Sequence, residues 1–103
     1  MTCSVRHYKL HSRIKIAGDM TIYEAENIRQ FLLANAFKRS KLFLNLKGVV
    51  EVDTTAFQLL ISLEKLAKLQ KSDLLIEEPS KAVKEIYYLF NQSSRLEGIS
   101  DER

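Results

Sequence analysis

Residues 42–69 read LFLNLKGVVEVDTTAFQLLISLEKLAKL, and the change of period within them decides the fold. The first part, Leu42-Phe43-Leu44-Asn45-Leu46, is compact and mostly apolar, as expected of a strand covered on at least one face. Gly48 closes that run, and Val49-Val50-Glu51-Val52 leads into Asp53-Thr54-Thr55. From Ala56 to Leu69 the spacing becomes helical. Phe57, Leu60, Ile61 and Glu64 share one face, and Leu59, Leu63, Leu66 and Ala67 widen the apolar stripe. Lys65, Lys68 and Lys71 gather toward the C-terminal end, where cations suit the helix dipole.

Working outward, residues 4–17 read as two short strands, because Ile14 and Ile16 alternate with Arg13 and Lys15. Gly18 and Asp19 break the pattern. Thr21 can cap a helix, and Glu24 three residues on completes the spacing of a capping box. Ile22, Ala25, Ile28, Leu32 and Ala36 follow at helical spacing, which predicts an amphipathic helix over 22–36. Lys38 to Ser40 form a polar connector. Beyond the central stretch, Ser72-Asp73 is a turn and Leu74-Leu75-Ile76 a short buried strand. Glu77-Glu78-Pro79-Ser80 ends that strand. A third helix runs from about Ser80 to Asn91, with Ala82, Val83, Ile86, Leu89 and Phe90 on its buried side. Residues 92–103 are polar apart from Leu96 and Ile99, and read as a tail that frays or holds one small element. The order β-β-α-β-α-β-α implies crossover connections. It predicts an α/β fold with a mixed central sheet and about three helices packed mainly on one face.

Composition narrows the function. The 103 residues fit one domain, spanning 1–103. Hydrophobic residues make up 46% and charged residues 28%, an ordinary globular balance. No run approaches the roughly 20 apolar residues of a membrane span. Met1 to Leu10 alternates charged and apolar groups without a signal-peptide core, so a cytoplasmic protein that does not insert into a membrane is expected. Cys3 is the only cysteine and reads as incidental, because no cationic pocket is evident beside it. His7 and His11 do not join other ligand types at a metal spacing, so neither a metal nor a cofactor is expected. The net charge is +3, but the cations are scattered among acids. A nucleic-acid protein would show a denser basic stripe with aromatics between the charges, so no nucleic acid is expected.

The residues that draw attention are Asp53 and Thr54, where a buried strand meets a helix N-terminus. The first N–H groups of that helix lack internal partners and its dipole end is positive. Asp53 or Thr54 can be a plain N-cap. A phosphoryl group on Thr54 would also be stabilised there, and would place about −1.5 to −2 charges beside Asp53. A docking partner would then meet a dianion. The two readings are compatible. Catalysis is not expected, because no histidine accompanies Asp53-Thr54 and no base is evident to activate Thr54. A small anion or nucleotide at the helix N-termini near Thr21 and Thr54 is conceivable chemically but not expected.

Three segments resemble one family. Gly18-Asp19-Met20-Thr21 resembles the loop before the first helix of STAS domains, the anti-sigma-factor-antagonist family. Leu44 to Val49, continuing through Val52-Asp53-Thr54-Thr55-Ala56-Phe57, resembles the family's signature strand, loop and helix start. Glu77 to Val83 resembles the loop that opens its third helix. The resemblance covers about residues 5–91. It implies a stand-alone STAS-like fold and a non-enzymatic, protein-binding role. In phosphorylated members the acceptor directly follows the Asp, which here is Thr54, supported by Asp53 and Thr55. Asp19, Met20, Thr21, Tyr23 and Phe57 would flank the docking surface on the first two helices. Ala56 stands where the family usually has Gly, and Thr21 where sigma-regulating members often have Asp. The partners implied are an anti-sigma-type Ser/Thr kinase and a metal-dependent phosphatase. Asp-Thr at this place also resembles STAS proteins of chemotaxis operons and the STAS subunit of the phospholipid-trafficking ABC transporter. There the Thr would contact a transporter ATPase without phosphorylation.

Overall fold

The computed structural model describes residues 2–96. The strands are β1 (Thr2–His7), β2 (His11–Met20), β3 (Lys41–Val52) and β4 (Asp73–Glu77). The helices are α1 (Ile22–Asn35), α2 (Thr54–Leu69) and α3 (Lys81–Leu89), followed by a 3₁₀ turn over Ser93–Leu96. The strands form one mixed sheet in the order β1-β2-β3-β4. β1 and β2 make an antiparallel hairpin, while β2, β3 and β4 run parallel. The α/β architecture is thus the expected one. The part of the tail beyond Leu96 lies outside the described residues.

Alternation along the strands sorts the two sheet faces. Ser12, Ile14 and Ile16 of β2 are buried, and Arg13 and Lys15 between them are exposed. Leu42, Leu44 and Leu46 of β3 and Ile76 of β4 join the same buried face. Ile28 and Leu32 of α1, Phe57, Leu60 and Leu63 of α2, and Val83, Ile86 and Tyr87 of α3 close over it. The helices therefore cover one face, and among the described residues the opposite face stays open. Ser12 is the one polar side chain among the buried described residues, and His7 Nδ1 lies 2.6 Å from its hydroxyl, which satisfies it.

Two glycines act differently from expectation. Gly18 does not end its strand. β2 continues to Met20 with register shifts between Lys15 and Ala17 and between Gly18 and Asp19. Gly18 takes φ 99°, a conformation that only glycine adopts cheaply, and so absorbs the irregularity. Gly48 does not close β3 either. It lies opposite Ala17 at a close approach, where a Cβ on Gly48 would come 2.8 Å from the Ala17 Cβ. β3 runs on through it to Val52.

Because β2, β3 and β4 are parallel, each hands over to its helix at the same end of the sheet. Met20 pairs with Val52, so the N-termini of α1 and α2 start side by side. That end carries the candidate site.

Candidate functional site

Asp53 is the N-cap of α2, with an extended backbone (φ −100°, ψ 177°). Its Oδ1 accepts from the Ala56 N–H at 3.0 Å. Its Oδ2 accepts from the Ile22 N–H, the first residue of α1, at 2.7 Å. Its own N–H donates to the Met20 carbonyl at 3.1 Å. One carboxylate therefore caps two helices and ties both to the end of β2. This choice between the two candidate caps is physically sensible, because only a carboxylate offers two acceptor oxygens on one side chain.

The capping box expected at Thr21 does not form. Thr21 occupies the N-cap position of α1 but its side chain makes no cap bond. Glu24 reaches Thr21 only through its backbone N–H, which donates to the Thr21 carbonyl at 2.9 Å. The incoming Asp53 oxygen has taken over the α1 terminus, so the hydroxyl is not needed there.

Thr54 is the first residue of α2, and both it and Thr55 are exposed. The hydroxyl of Thr54 thus stands at the positive end of a helix dipole, beside a carboxylate already committed to holding two helices. Asp19, at the end of β2, is exposed, and Thr21 is half-buried. Tyr23 is 90% exposed, an aromatic ring standing almost wholly in solvent. Two expected contact residues are corrected. Met20 is fully buried and Phe57 is 3% exposed. Phe57 lies within an aromatic group, stacked on Phe90 at 5.0 Å and edge-on to Tyr87 at 5.0 Å. The side chain two residues past Thr55 has turned inward onto the core face of α2.

Two apolar residues at this end are exposed against their spacing in the sequence. Ile22 belongs to the helical apolar stripe by spacing, yet it is 59% exposed. Its place in the first turn puts it at the rim, beyond the sheet that buries Ile28. Val50 is 73% exposed beside buried Val49. The alternation of β3 breaks at Gly48, after which Val49 is buried while Val50 and Glu51 are both exposed, so no period-2 pattern marks Val50. Among the described residues, no cluster of three or more His, Cys, Asp or Glu could hold a metal ion. No described helix is long and apolar enough to cross a membrane.

The family described as "Mlab, STAS domain" matches residues 3–94.

This chain belongs to the STAS domain family.

Solved structures share the fold of this STAS domain. The anti-sigma factor antagonist SpoIIAA in its unphosphorylated form is 12% identical, with a TM-score of 0.74, over 90% of this chain and 84% of that one. The Bacillus cell fate determinant SpoIIAA in its phosphorylated form is 11% identical, with a TM-score of 0.70, over 90% of this chain and 86% of that one. A protein described as Mglu is 17% identical with a TM-score of 0.68, but the match spans 76% of this STAS domain and 20% of that chain. At these identities the likeness is one of fold. No curated protein matches.

Proposed function

We propose that this STAS domain is a non-enzymatic, cytoplasmic protein-binding module that docks through the end carrying Thr54 and is switched by phosphorylation there. The observation that carries the reading is the exposed Thr54, the first residue of α2, next to the double cap formed by Asp53. Thr55, Asp19 and the exposed Tyr23 surround it and supply polar and aromatic contact groups. A Ser/Thr kinase is the proposed writer and a metal-dependent phosphatase the proposed eraser. The phosphoryl group would be held by the helix N-terminus and would repel or recruit the docked partner. Because Asp53 is engaged structurally, the switch acts by charge at the surface and leaves the fold intact.

Purification of the tagged protein from its native cells tests this, comparing wild type with Thr54→Glu and weighing the intact bait. A bait mass raised by one phosphate, with a kinase or phosphatase that is lost or exchanged in the variant, is the expected result. Unmodified bait, with partners indifferent to Thr54→Glu and Thr54→Ala, overturns the switch.

A second reading starts from the Asp53-Thr54 pair, which also resembles the STAS proteins of chemotaxis operons and of the phospholipid-trafficking ABC transporter. In it the domain is a constitutive subunit of a transporter or signalling assembly, and Thr54 is a contact residue with no phosphate. A stable complex with a transporter ATPase that survives purification with unmodified bait selects it.

A further inference from the structure

Among the described residues nothing covers the face of the sheet opposite the helices, and that face is neither apolar nor randomly charged. The pairing of the strands sets its outward residues in rows. Arg6 lies opposite Arg13, which lies opposite Phe43, which lies opposite Leu75. The next row is Ser4, Lys15, Asn45 and Glu77. On the other side, His11 lies opposite Lys41, and Lys41 opposite Asp73. Four cations from three strands thus share one face with two carboxylates.

An aromatic strip crosses the same face. Tyr8 stacks on His11 with ring centroids 4.6 Å apart and planes at 20°. His11 meets Phe43 edge-on at 5.4 Å. The Arg13 guanidinium lies 4.4 Å from the Phe43 centroid and the Lys41 ammonium 5.8 Å from it. A depression of about 430 Å³ runs beside the strip, lined by Ser4, Arg6, Arg13, Lys15, Asn45 and Glu77. Arg39 holds the hairpin tip in place by donating to the Tyr8 carbonyl at 2.6 Å.

We propose that this open sheet face binds single-stranded nucleic acid. The Tyr8–His11–Phe43 strip stacks bases, and Arg6, Lys15 and Lys41 take the phosphates. The complementarity is of two kinds, and a strand of unpaired nucleotides uses both along the length of the face. Phosphates match the cations, and unpaired bases match flat rings set between them. An acidic peptide would leave the aromatic strip unused. The sequence hid the pattern because the cations come from three strands at every second residue. They form a stripe only when the strands pair. This departs from the expectation, drawn from the scattered charges, that no nucleic acid is bound. The face is distinct from the Thr54 end and does not depend on the proposed switch.

Glu77 gives the proposal a sharp test. Its two carboxylate oxygens both accept from Arg13 Nη1 at 2.6 Å, which neutralises the cation nearest the ring strip. Binding of a fluorescent oligothymidylate of about 12 nucleotides is to be followed by anisotropy at about 50 mM salt. The expected dissociation constant is about 1–100 µM, rising steeply with salt. The pair Arg6→Glu with Lys15→Glu should weaken binding at least ~10-fold and flatten the salt dependence. Tyr8→Ala should weaken it by roughly 5-fold or more. Glu77→Gln should strengthen it, because it frees Arg13. Arg6, Tyr8 and Lys15 are exposed and Glu77 is partly so, and thermal melts of each variant verify that the fold is kept. No binding up to the top of that range overturns the proposal. So does equal binding of an acidic peptide or anionic vesicles of matched charge, or variants that bind like wild type.

Discussion

At the scale of single residues, the site turns on Asp53, which gives one oxygen to each of two helices. Removing the carboxylate leaves two first-turn N–H groups without an acceptor. Each loss of a cap costs about 1 kcal/mol, so Asp53→Ala should lower the unfolding free energy by about 2 kcal/mol in urea denaturation. Asp53→Asn keeps one carbonyl acceptor and should fall between the two. Thr54→Ala, at an exposed position, should stay within about 0.5 kcal/mol of wild type. If Asp53→Ala proved as stable as wild type, the double cap would carry no weight. The sequence made a cap at Asp53 or Thr54 legible, because a polar pair stands between a strand and a helix. It could not disclose the Ile22 contact. That bond joins residues 31 apart, and only the parallel pairing of β2 with β3 brings them together. The capping box read at Thr21 and Glu24 lost to this distant acceptor for the same reason.

At the scale of elements, the strands and helices were legible wherever one face is buried, because period and burial then coincide. The stripe of α2 and the alternation of β2 are such cases. Glycine was harder to read. A glycine beside a strand usually marks its end, and the local pattern at Gly18 and Gly48 points that way, yet both lie inside strands. Their shared purpose is the junction of β2 with β3, where Gly18 takes the bulge and Gly48 admits Ala17 at close range. No local pattern encodes a contact between two strands separated by a helix. Gly48→Ala would set two methyl carbons 2.8 Å apart, and the partner is fixed to backbone and cannot swing away. The expected cost is about 1–3 kcal/mol. Ala17→Gly should recover much of it in the double variant, as coupled neighbours do. Additive losses in that double-mutant cycle would show that the clash is relieved elsewhere.

At the scale of the molecule, the helical layer is fastened by a polar group that periodicity alone does not disclose. Spacing placed Glu64 on the same face as Phe57, Leu60 and Ile61, an odd residue for a core stripe. The structure supplies the reason. The Tyr87 hydroxyl of α3 donates to Glu64 Oε2 at 2.8 Å, and Arg95 of the 3₁₀ turn donates to Glu64 Oε1 at 2.8 Å. Arg95 also donates to Gln92 at 2.6 Å. One carboxylate on α2 thereby joins three successive parts of the chain, and both of its oxygens are paired, as a half-buried charge requires. The same arrangement fixes how stability should respond to alkali. Burial of the Tyr87 phenol, and then the adjacent Glu64 charge, push its pKa well above the ordinary 10.0. A folded pKa above the unfolded one adds stability that is fully present below the unfolded value and drains away as pH rises past it. The contribution of Tyr87 should therefore be constant at neutral pH and decline above about pH 10. Tyr87→Phe isolates it from other titrating groups. At neutral pH the variant loses a hydrogen bond to a charged acceptor and should be about 1.5–3 kcal/mol less stable. As pH climbs through about 10 the gap between the two proteins should narrow, because only wild type gains by ionising on unfolding. Urea titrations of both proteins across that range measure the gap directly. A difference that stays flat with pH would mean that the Tyr87 phenol ionises as easily in the folded chain as in the unfolded one, and that Glu64 does not hold its proton.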